Sequence, residues 1–359
     1  MKKIGINDIA SYLNISRNTV SKVMNDRGKV SEKVREKVIQ AAVELDYRKL
    51  PKHLRIEYEH TLKEGRTSQK FSQNILVLAT SPDFSTFWGN IINGITKELA
   101  NKGFTCLYNF LTFEQEKNFE LPQIIKEGDI AGIIVMNVYK KEAVEKLART
   151  GIPIVYFDIP LEIDVMDIKA DVVVIEGRGS IFKITQHLIE QGDKILGFIG
   201  DTSYCKSIEE RWRGFVRAHN QAGISIRNEY CFVSEKQGHF YFGKEVENTV
   251  EIFLRDKQPL PQAFVCANDV IAYKVIKQLE EHGYKVPEDI RISGFDDMFT
   301  ASRDGEQYLT SVYINTYNVG KRLAEQMIWR IHNRDRENEV IKIYGQIKFR
   351  DSTKKQVKK

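Results

Sequence analysis

No run of eighteen apolar residues occurs in the 359 residues of this chain, so no membrane span is expected. The basic opening Met1-Lys2-Lys3 is followed by Asn7, Asp8 and Asn14, which leave no apolar stretch for a secretory signal. Cysteine is scarce: Cys106, Cys205, Cys231 and Cys266 lie far apart, without paired spacing. That spacing argues against a disulfide or zinc framework and suits buried thiols in a reducing cytoplasm. Catalytic signatures are missing as well. Gly177-Arg178-Gly179 offers two glycines of a G-x-G-x-x-G loop and lacks the third. There is no phosphate-loop lysine, no G-x-S-x-G turn and no H-E-x-x-H pair, and the seven histidines are scattered. No catalytic residue, metal or cofactor is therefore expected, and binding is favoured over turnover.

The charge that is present is unevenly spread. Residues 1–70 hold 16 Lys/Arg against 9 Asp/Glu, a balance of +7, and the remainder holds 38 against 40, a balance of −2. A basic head on a near-neutral body suits a chain that meets phosphate at one end. With 42% hydrophobic and 29% charged residues the whole is globular rather than disordered, and its length predicts two or three domains.

Three zones separate by pattern. The first, 6–47, is helical throughout. Ile6, Ile9, Ala10 and Leu13 share one face of a first helix; Asn14-Ile15-Ser16 turns the chain, and Ser16 caps a second helix over 17–25. Val20, Val23 and Met24 point inward there. Ser31 caps a third helix bearing Val34, Val38, Ala41, Ala42 and Leu45. Helix, short turn, helix and a supporting helix form the helix-turn-helix layout. The second zone, 48–73, is polar, charge-dense and linker-like, with at most one short helix near 53–63. From residue 74 the period changes. Apolar runs at 75–79, 132–136, 154–157, 172–175, 195–199, 263–266 and 292–295 alternate with helical stretches. Continuous apolar strands separated by helices predict parallel sheets covered on both faces, and nearly 290 residues of them fit two doubly wound lobes.

The outward face of the second helix carries chemistry. Arg17 can bond guanine O6 and N7 together, Asn18 can bond adenine bidentately, and both stand at the helix start that enters a major groove. Ser16, Thr19, Ser21, Lys22 and Asn25 add short donors and a cation suited to phosphate.

These residues form a known pattern. Ile6-Asn-Asp-Ile-Ala10, then Ile15-Ser-Arg-Asn-Thr-Val-Ser-Lys-Val-Met-Asn25, then Val30-Ser-Glu-Lys-Val-Arg35 and Glu44-Leu-Asp-Tyr47 resemble the DNA-binding head of the lactose repressor (LacI/GalR) family. Phe264-Val-Cys-Ala-Asn-Asp269, the segment from Val286 to Asp297 and Leu309-Thr-Ser311 resemble that family's effector domain, so the resemblance covers essentially the whole chain. It implies two sugar-binding-protein-like lobes joined by three crossing strands, a homodimer on double-stranded operator DNA, and a small carbohydrate-like effector. Implied boundaries are 1–47 for the head, 48–73 for the hinge and 74–359 for the body. Within the body, lobe one takes 74–175 and 312–332; lobe two takes 176–311 and 333–359. One departure stands out. The family usually carries Pro-Asn-x-x-Ala-x-x-Leu after the tyrosine, a hinge helix whose leucine wedges into the minor groove; here Arg48-Lys-Leu-Pro51 breaks that pattern. Leu54 and Leu62 are the two candidates for the wedge.

Ligands of doubly wound sheets sit beyond the carboxyl ends of strands, and in a two-lobed body that is the cleft. The residues following the apolar runs are therefore candidate contacts: Asp83, Phe84 and Trp88, then Asp158, Arg211, Asn268 and Asp296. Charged and amide groups beside flat rings suit a polyhydroxylated ligand. Resemblance singles out Arg211, Asn268, Asp296 and Asp158 among them. Asp269 and Asp297 fit a contact and a structural role equally, the first as a helix cap and the second as a surface-loop residue. A sugar-binding sensor without a DNA role, or an α/β enzyme lacking known motifs, are the alternatives.

Overall fold

A computed structural model describes residues 4–25, 30–45, 47, 50–51, 54, 73–80, 86–233, 259–298, 302–303 and 306–355. They divide into two compact units, 1–72 and 73–359.

In the first unit α1 (Ile6–Leu13), α2 (Arg17–Met24) and α3 (Glu32–Glu44) enclose a small core. Ile9, Val20, Val23, Val38 and Ala42 are fully or almost fully buried at the helical spacings read from the sequence. Asn14 ends α1 in the left-handed region, at φ 53°, a conformation its short polar side chain tolerates. Ser16 Oγ accepts the Thr19 amide at 3.1 Å and so caps α2. The core extends beyond 47, the expected end of the head: Tyr47 and Leu50 pack against it, and Leu54 lies inside it at 0% exposure. Leu54 in this state is a core side chain and not a free wedge. Leu62 lies outside the described residues.

The second unit holds two parallel sheets. The first contains β1 (Asn74–Thr80), β2 (Thr105–Leu111), β3 (Gly132–Met136), β4 (Ile154–Phe157) and β5 (Asp171–Ile175); the second contains β6 (Leu196–Ile199), β7 (Cys231–Phe232), β8 (Ala263–Cys266) and β9 (Arg291–Ser293). Their main flanking helices are α4 (Thr86–Asn101), α5 (Lys141–Ala148), α6 (Arg178–Glu190), α7 (Lys206–Ala222) and α8 (Asp269–Glu281). The last part runs β10 (Ser311–Tyr313), α9 (Thr316–His332), β11 (Val340–Ile343) and β12 (Gln346–Lys348). Strand order is β11-β5-β4-β3-β1-β2 in the first sheet and β7-β6-β8-β9 in the second. Placing 333–359 wholly with the second lobe therefore fails at β11. It pairs in parallel with β5, Val340 opposite Val172, and completes the first sheet's edge. The chain passes between the lobes three times, after β5, after β10 and after β11.

Alternation along the buried strands divides the first lobe's core. Val155 and Phe157 face one apolar cluster, which also takes in the second sheet, while Ile154 and Tyr156 face another that packs α5. Asp171 is buried at 0% exposure and ties three elements together. It accepts both Nε and Nη2 of Arg330, the Gln326 amide and the Glu339 backbone N–H, all within 2.9 Å.

Candidate DNA-binding face and ligand cleft

On the head, Arg17, Asn18, Lys22 and Asn25 are exposed, whereas Thr19 and Ser21 are half-buried. Four of the seven expected polar contacts are also at work inside the fold, the Ser16 and Thr19 hydroxyls bonding each other and the Ser21 hydroxyl accepting from Asn25. Ser16 Oγ is engaged by the cap, and Asn25 Nδ2 donates to the Ser21 carbonyl at 2.8 Å. Arg17, Asn18 and Lys22 are left as long or amide side chains projecting from a capped helix start.

In the body, Arg211 occupies the second turn of α7, with only 7% of the residue exposed. Its Nη1 donates to the Ala267 carbonyl at 2.6 Å, and Nη2 stands 3.7 Å from Asp296 Oδ1. The guanidinium carbon lies 3.7 Å from the centre of the Phe295 ring. Gly177 makes room for the stem, since a Cβ there would stand 2.8 Å from Arg211 Cγ. The neighbouring Glu209 pairs with Lys206 and Arg213 rather than with Arg211. Arg211 Nε and Asp296 Oδ1 are buried without a hydrogen-bond partner. Burial pushes the Asp296 carboxyl above its usual range, and Arg211 opposes that rise.

Asn268 follows β8 and caps α8, its Oδ1 accepting the Ile271 amide at 2.9 Å, so the amide nitrogen is the end left for a ligand. The cap is thus Asn268 and not Asp269. Asp269 is buried and accepts Ser311 Oγ at 2.6 Å and the Met298 N–H at 2.7 Å, tying α8 to β10. Asp297 is likewise no free surface residue, for it pairs with both Nη atoms of Arg350.

Asp158 follows β4 in the left-handed region, at φ 63°. Its carboxylate accepts the Ile159 N–H at 2.9 Å and, from the other lobe, the Ser207 N–H at 3.3 Å. Burial raises its pKa, with these bonds acting against the rise. Trp88 is half-buried and meets Phe157 edge-on at 5.9 Å. Asp83 and Phe84 lie outside the described residues.

The structure adds two contacts between lobes that the sequence reading passed over. Tyr204 Oη donates to Asn137 Oδ1 at 2.9 Å, and the Tyr204 ring meets Tyr139 edge-on. Asn137 directly follows β3, so the same strand-end rule that selects Asp158 would have found it. Among the described residues no three His, Cys, Asp or Glu side chains gather as for a metal, and no helix is long and apolar enough to cross a membrane.

A three-helix head with an exposed polar α2, followed by two parallel-sheet lobes around a polar cleft, defines a ligand-responsive DNA-binding architecture. Residues 5–49 match the family described as bacterial regulatory proteins, lacI family, and residues 185–353 match the periplasmic binding protein-like domain. Residues 5–49 thus correspond to a LacI-family helix-turn-helix domain and residues 185–353 to a periplasmic-binding-protein-like domain. It is 28% identical to the HTH-type transcriptional repressor PurR of Pasteurella multocida, over 97% of this chain and 98% of that one. It is 25% identical to the NTD biosynthesis operon regulator NtdR of Bacillus subtilis, over 97% and 99%. Among solved structures it is similar to a transcriptional regulator CelR–cellobiose complex, with TM-score 0.67 and 22% identity over 97% and 99% of the chains. It is also similar to the lac repressor dimer bound to operator and the anti-inducer ONPF, with TM-score 0.62 and 19% identity over 98% and 99%.

Proposed function

We propose that this chain is a sequence-specific repressor whose operator affinity is set by a small polyhydroxylated ligand bound between the lobes. The observation that carries the ligand half is the pair of unpartnered buried atoms, Arg211 Nε and Asp296 Oδ1, beside the Phe295 ring. A buried donor and acceptor left unmatched are costly, and a ligand hydroxyl can both accept from the one and donate to the other. The relatives that support the reading are a repressor by name, a regulator complexed with cellobiose and a repressor dimer on operator.

The DNA half rests on the exposed Arg17, Asn18 and Lys22 of α2. One such helix reads too few base pairs to be specific in a genome, so we take a homodimer on a pseudo-palindromic site as the working form. The edge strand β2 supplies a sticky surface for self-association: Tyr108 and Phe110 are exposed and stack at 6.0 Å, with exposed Phe113 following. Selection of bound sequences from random duplexes tests the DNA half. Two inverted half-sites are expected, and enrichment of a single isolated half-site would overturn it. A thermal-shift screen of mono- and disaccharides tests the ligand half, because a bound ligand raises apparent stability by mass action. A stabilising sugar that acts equally on Asp296→Ala would place the ligand elsewhere.

A further inference from the structure

Beyond β9 the chain runs Gly294-Phe295-Asp296-Asp297, and its two carboxylates are held in different ways. Asp296 and Asp297 both lie at positive φ, 97° and 52°, and neither is glycine. Two such residues in succession are costly and persist only where the surroundings over-determine them. The Asp296 N–H bonds the Val312 carbonyl at 3.1 Å, the Asp297 N–H bonds Ser311 Oγ at 3.0 Å, and the Met298 N–H bonds Asp269 at 2.7 Å. The remaining hold is the fork of Arg350 on the Asp297 carboxylate, at 2.5 and 3.0 Å, from 53 residues further along the chain. Arg350 is itself fixed. Its Nη1 also donates to the Leu309 carbonyl at 2.8 Å, its Nη2 to Gln307 Oε1 at 3.0 Å, and its N–H to Thr310 Oγ1 at 2.8 Å. It stands just past β12, which pairs with β10 after the third passage between the lobes.

We propose that Arg350 is a positioning residue for the ligand cleft: by gripping Asp297 it locks the strained turn that aims the Asp296 carboxylate at Arg211. The inference rests on Asp296 being a ligand contact. Arg350 acts through its neighbour, since its guanidinium bonds Asp297 while the Asp296 carboxylate faces Arg211. A planar guanidinium holds both carboxylate oxygens in one orientation, which the point charge of an ammonium does not do. The affinity of the cleft then depends on a side chain near the chain's end that is no part of its lining.

Asp296 itself serves as the probe, with no ligand added. The full-length chain, labelled with carbon-13 at its aspartate carboxyls, is titrated by NMR, and the Asp296 signal is the one lost in Asp296→Asn. Burial holds that carboxyl above its usual range. The other charged groups around it, Arg211, Asp269 and Asp297, are the same in every variant compared. In Arg350→Met the freed turn lets Asp296 reach water, so its pKa should fall towards the ordinary carboxylate value. Arg350→Lys keeps the charge but loses the fork and should shift it the same way; this variant decides the matter if Arg350→Met does not fold. A cation acting only through space predicts the opposite sign, a rise in Arg350→Met, and no change in Arg350→Lys. The Asp297 amide should exchange with solvent about tenfold faster in both variants, the scale of one charge-assisted hydrogen bond, while the β6 amides keep their wild-type rates. A pKa that rises in Arg350→Met or stays put in Arg350→Lys would overturn the proposal. A lowered melting temperature with both readouts unchanged would do so too, leaving Arg350 a structural residue only. The ligand reading fails on a different observation, a sugar that binds Asp296→Ala as tightly as wild type.

Discussion

Arg211 Nη2 and Asp296 Oδ1 face each other across 3.7 Å inside the second lobe, close enough to attract and too far to be hydrogen-bonded. Arg211 Nη1 is meanwhile engaged by the Ala267 carbonyl at 2.6 Å. A ligand oxygen is the natural third member. Arg211→Ala should abolish the effect of a cognate ligand on operator affinity, a coupling of about 1–3 kcal/mol, and leave unliganded DNA binding unchanged. Operator titrations with and without ligand measure this, and an undiminished ligand effect would exclude Arg211 from the site.

Asp296 gives the cleft a pH dependence whose sign follows from its raised pKa. A ligand hydroxyl donating to Oδ1 favours the carboxylate, so binding lowers that pKa and releases a proton. Affinity should rise with pH through the free protein's Asp296 pKa and level off above it. The contribution to folding runs the other way: it is present at low pH and is lost as pH rises through the folded-state value. Calorimetry in two buffers of different ionisation enthalpy detects the released proton, and Asp296→Asn should eliminate it.

On DNA, Arg17→Ala should cost about 1–3 kcal/mol at one base pair, and Asn18→Ala a similar amount at its neighbour. Lys22→Ala should weaken all sequences alike if its ammonium rests on phosphate. Comparing binding-specificity profiles separates the two behaviours. A profile for Arg17→Ala identical to wild type would remove it from base reading.

Leu54 separates the folding of the head from its grip on the minor groove. As a fully buried side chain its truncation to Ala should cost about 2–5 kcal/mol of head stability, seen as lost amide-exchange protection in α1–α3. Leu62→Ala should lower operator affinity and spare that protection. Unchanged protection in Leu54→Ala would return Leu54 to the list of wedge candidates.

Asp171→Ala should be among the most damaging changes in the body. It strands the Arg330 guanidinium, 5% exposed, without its carboxylate and loosens the Glu339 N–H that precedes β11. Removing one partner of such a pair costs about 3–5 kcal/mol, readable by urea denaturation. A loss below about 1 kcal/mol would show that the remaining carbonyl partners of Arg330 suffice.

The legible parts of this sequence are those where one physical signal acts alone. The α1 and α2 positions follow from apolar spacing plus the Ser16 cap, and they agree with the structure to within a residue. β3 and β8 are continuous apolar runs buried on both faces and were equally plain. β2 was not read, because as an edge strand it mixes exposed Thr105, Tyr108 and Phe110 with half-buried Cys106, Leu107 and Asn109 in no single period. β11 hid for a different reason, since its exposed face carries apolar Val340 beside Lys342 and so masks the alternation, and its lobe was misjudged because only tertiary pairing with β5 decides it. In the cleft, strand ends pointed to Arg211 and Asp296 but not to Tyr204, which reaches Asn137 from a loop. The cap was assigned to Asp269 rather than Asn268, since adjacent carboxamide and carboxylate offer the same signal in sequence.

The three passages between lobes lie side by side in a fixed order. β11 pairs with β5 in one lobe, and β12 pairs with β10 in the other, which sets the third passage between the first and the second. The Glu176 N–H bonds the Ile343 carbonyl at 2.8 Å, lashing two of them together at the waist. Three adjacent strands of this kind resist twisting and sliding but yield to bending across their common line. Opening and shutting like a book on its spine is therefore the lobe motion this arrangement favours, and the angle between the lobes is what a bound ligand would set.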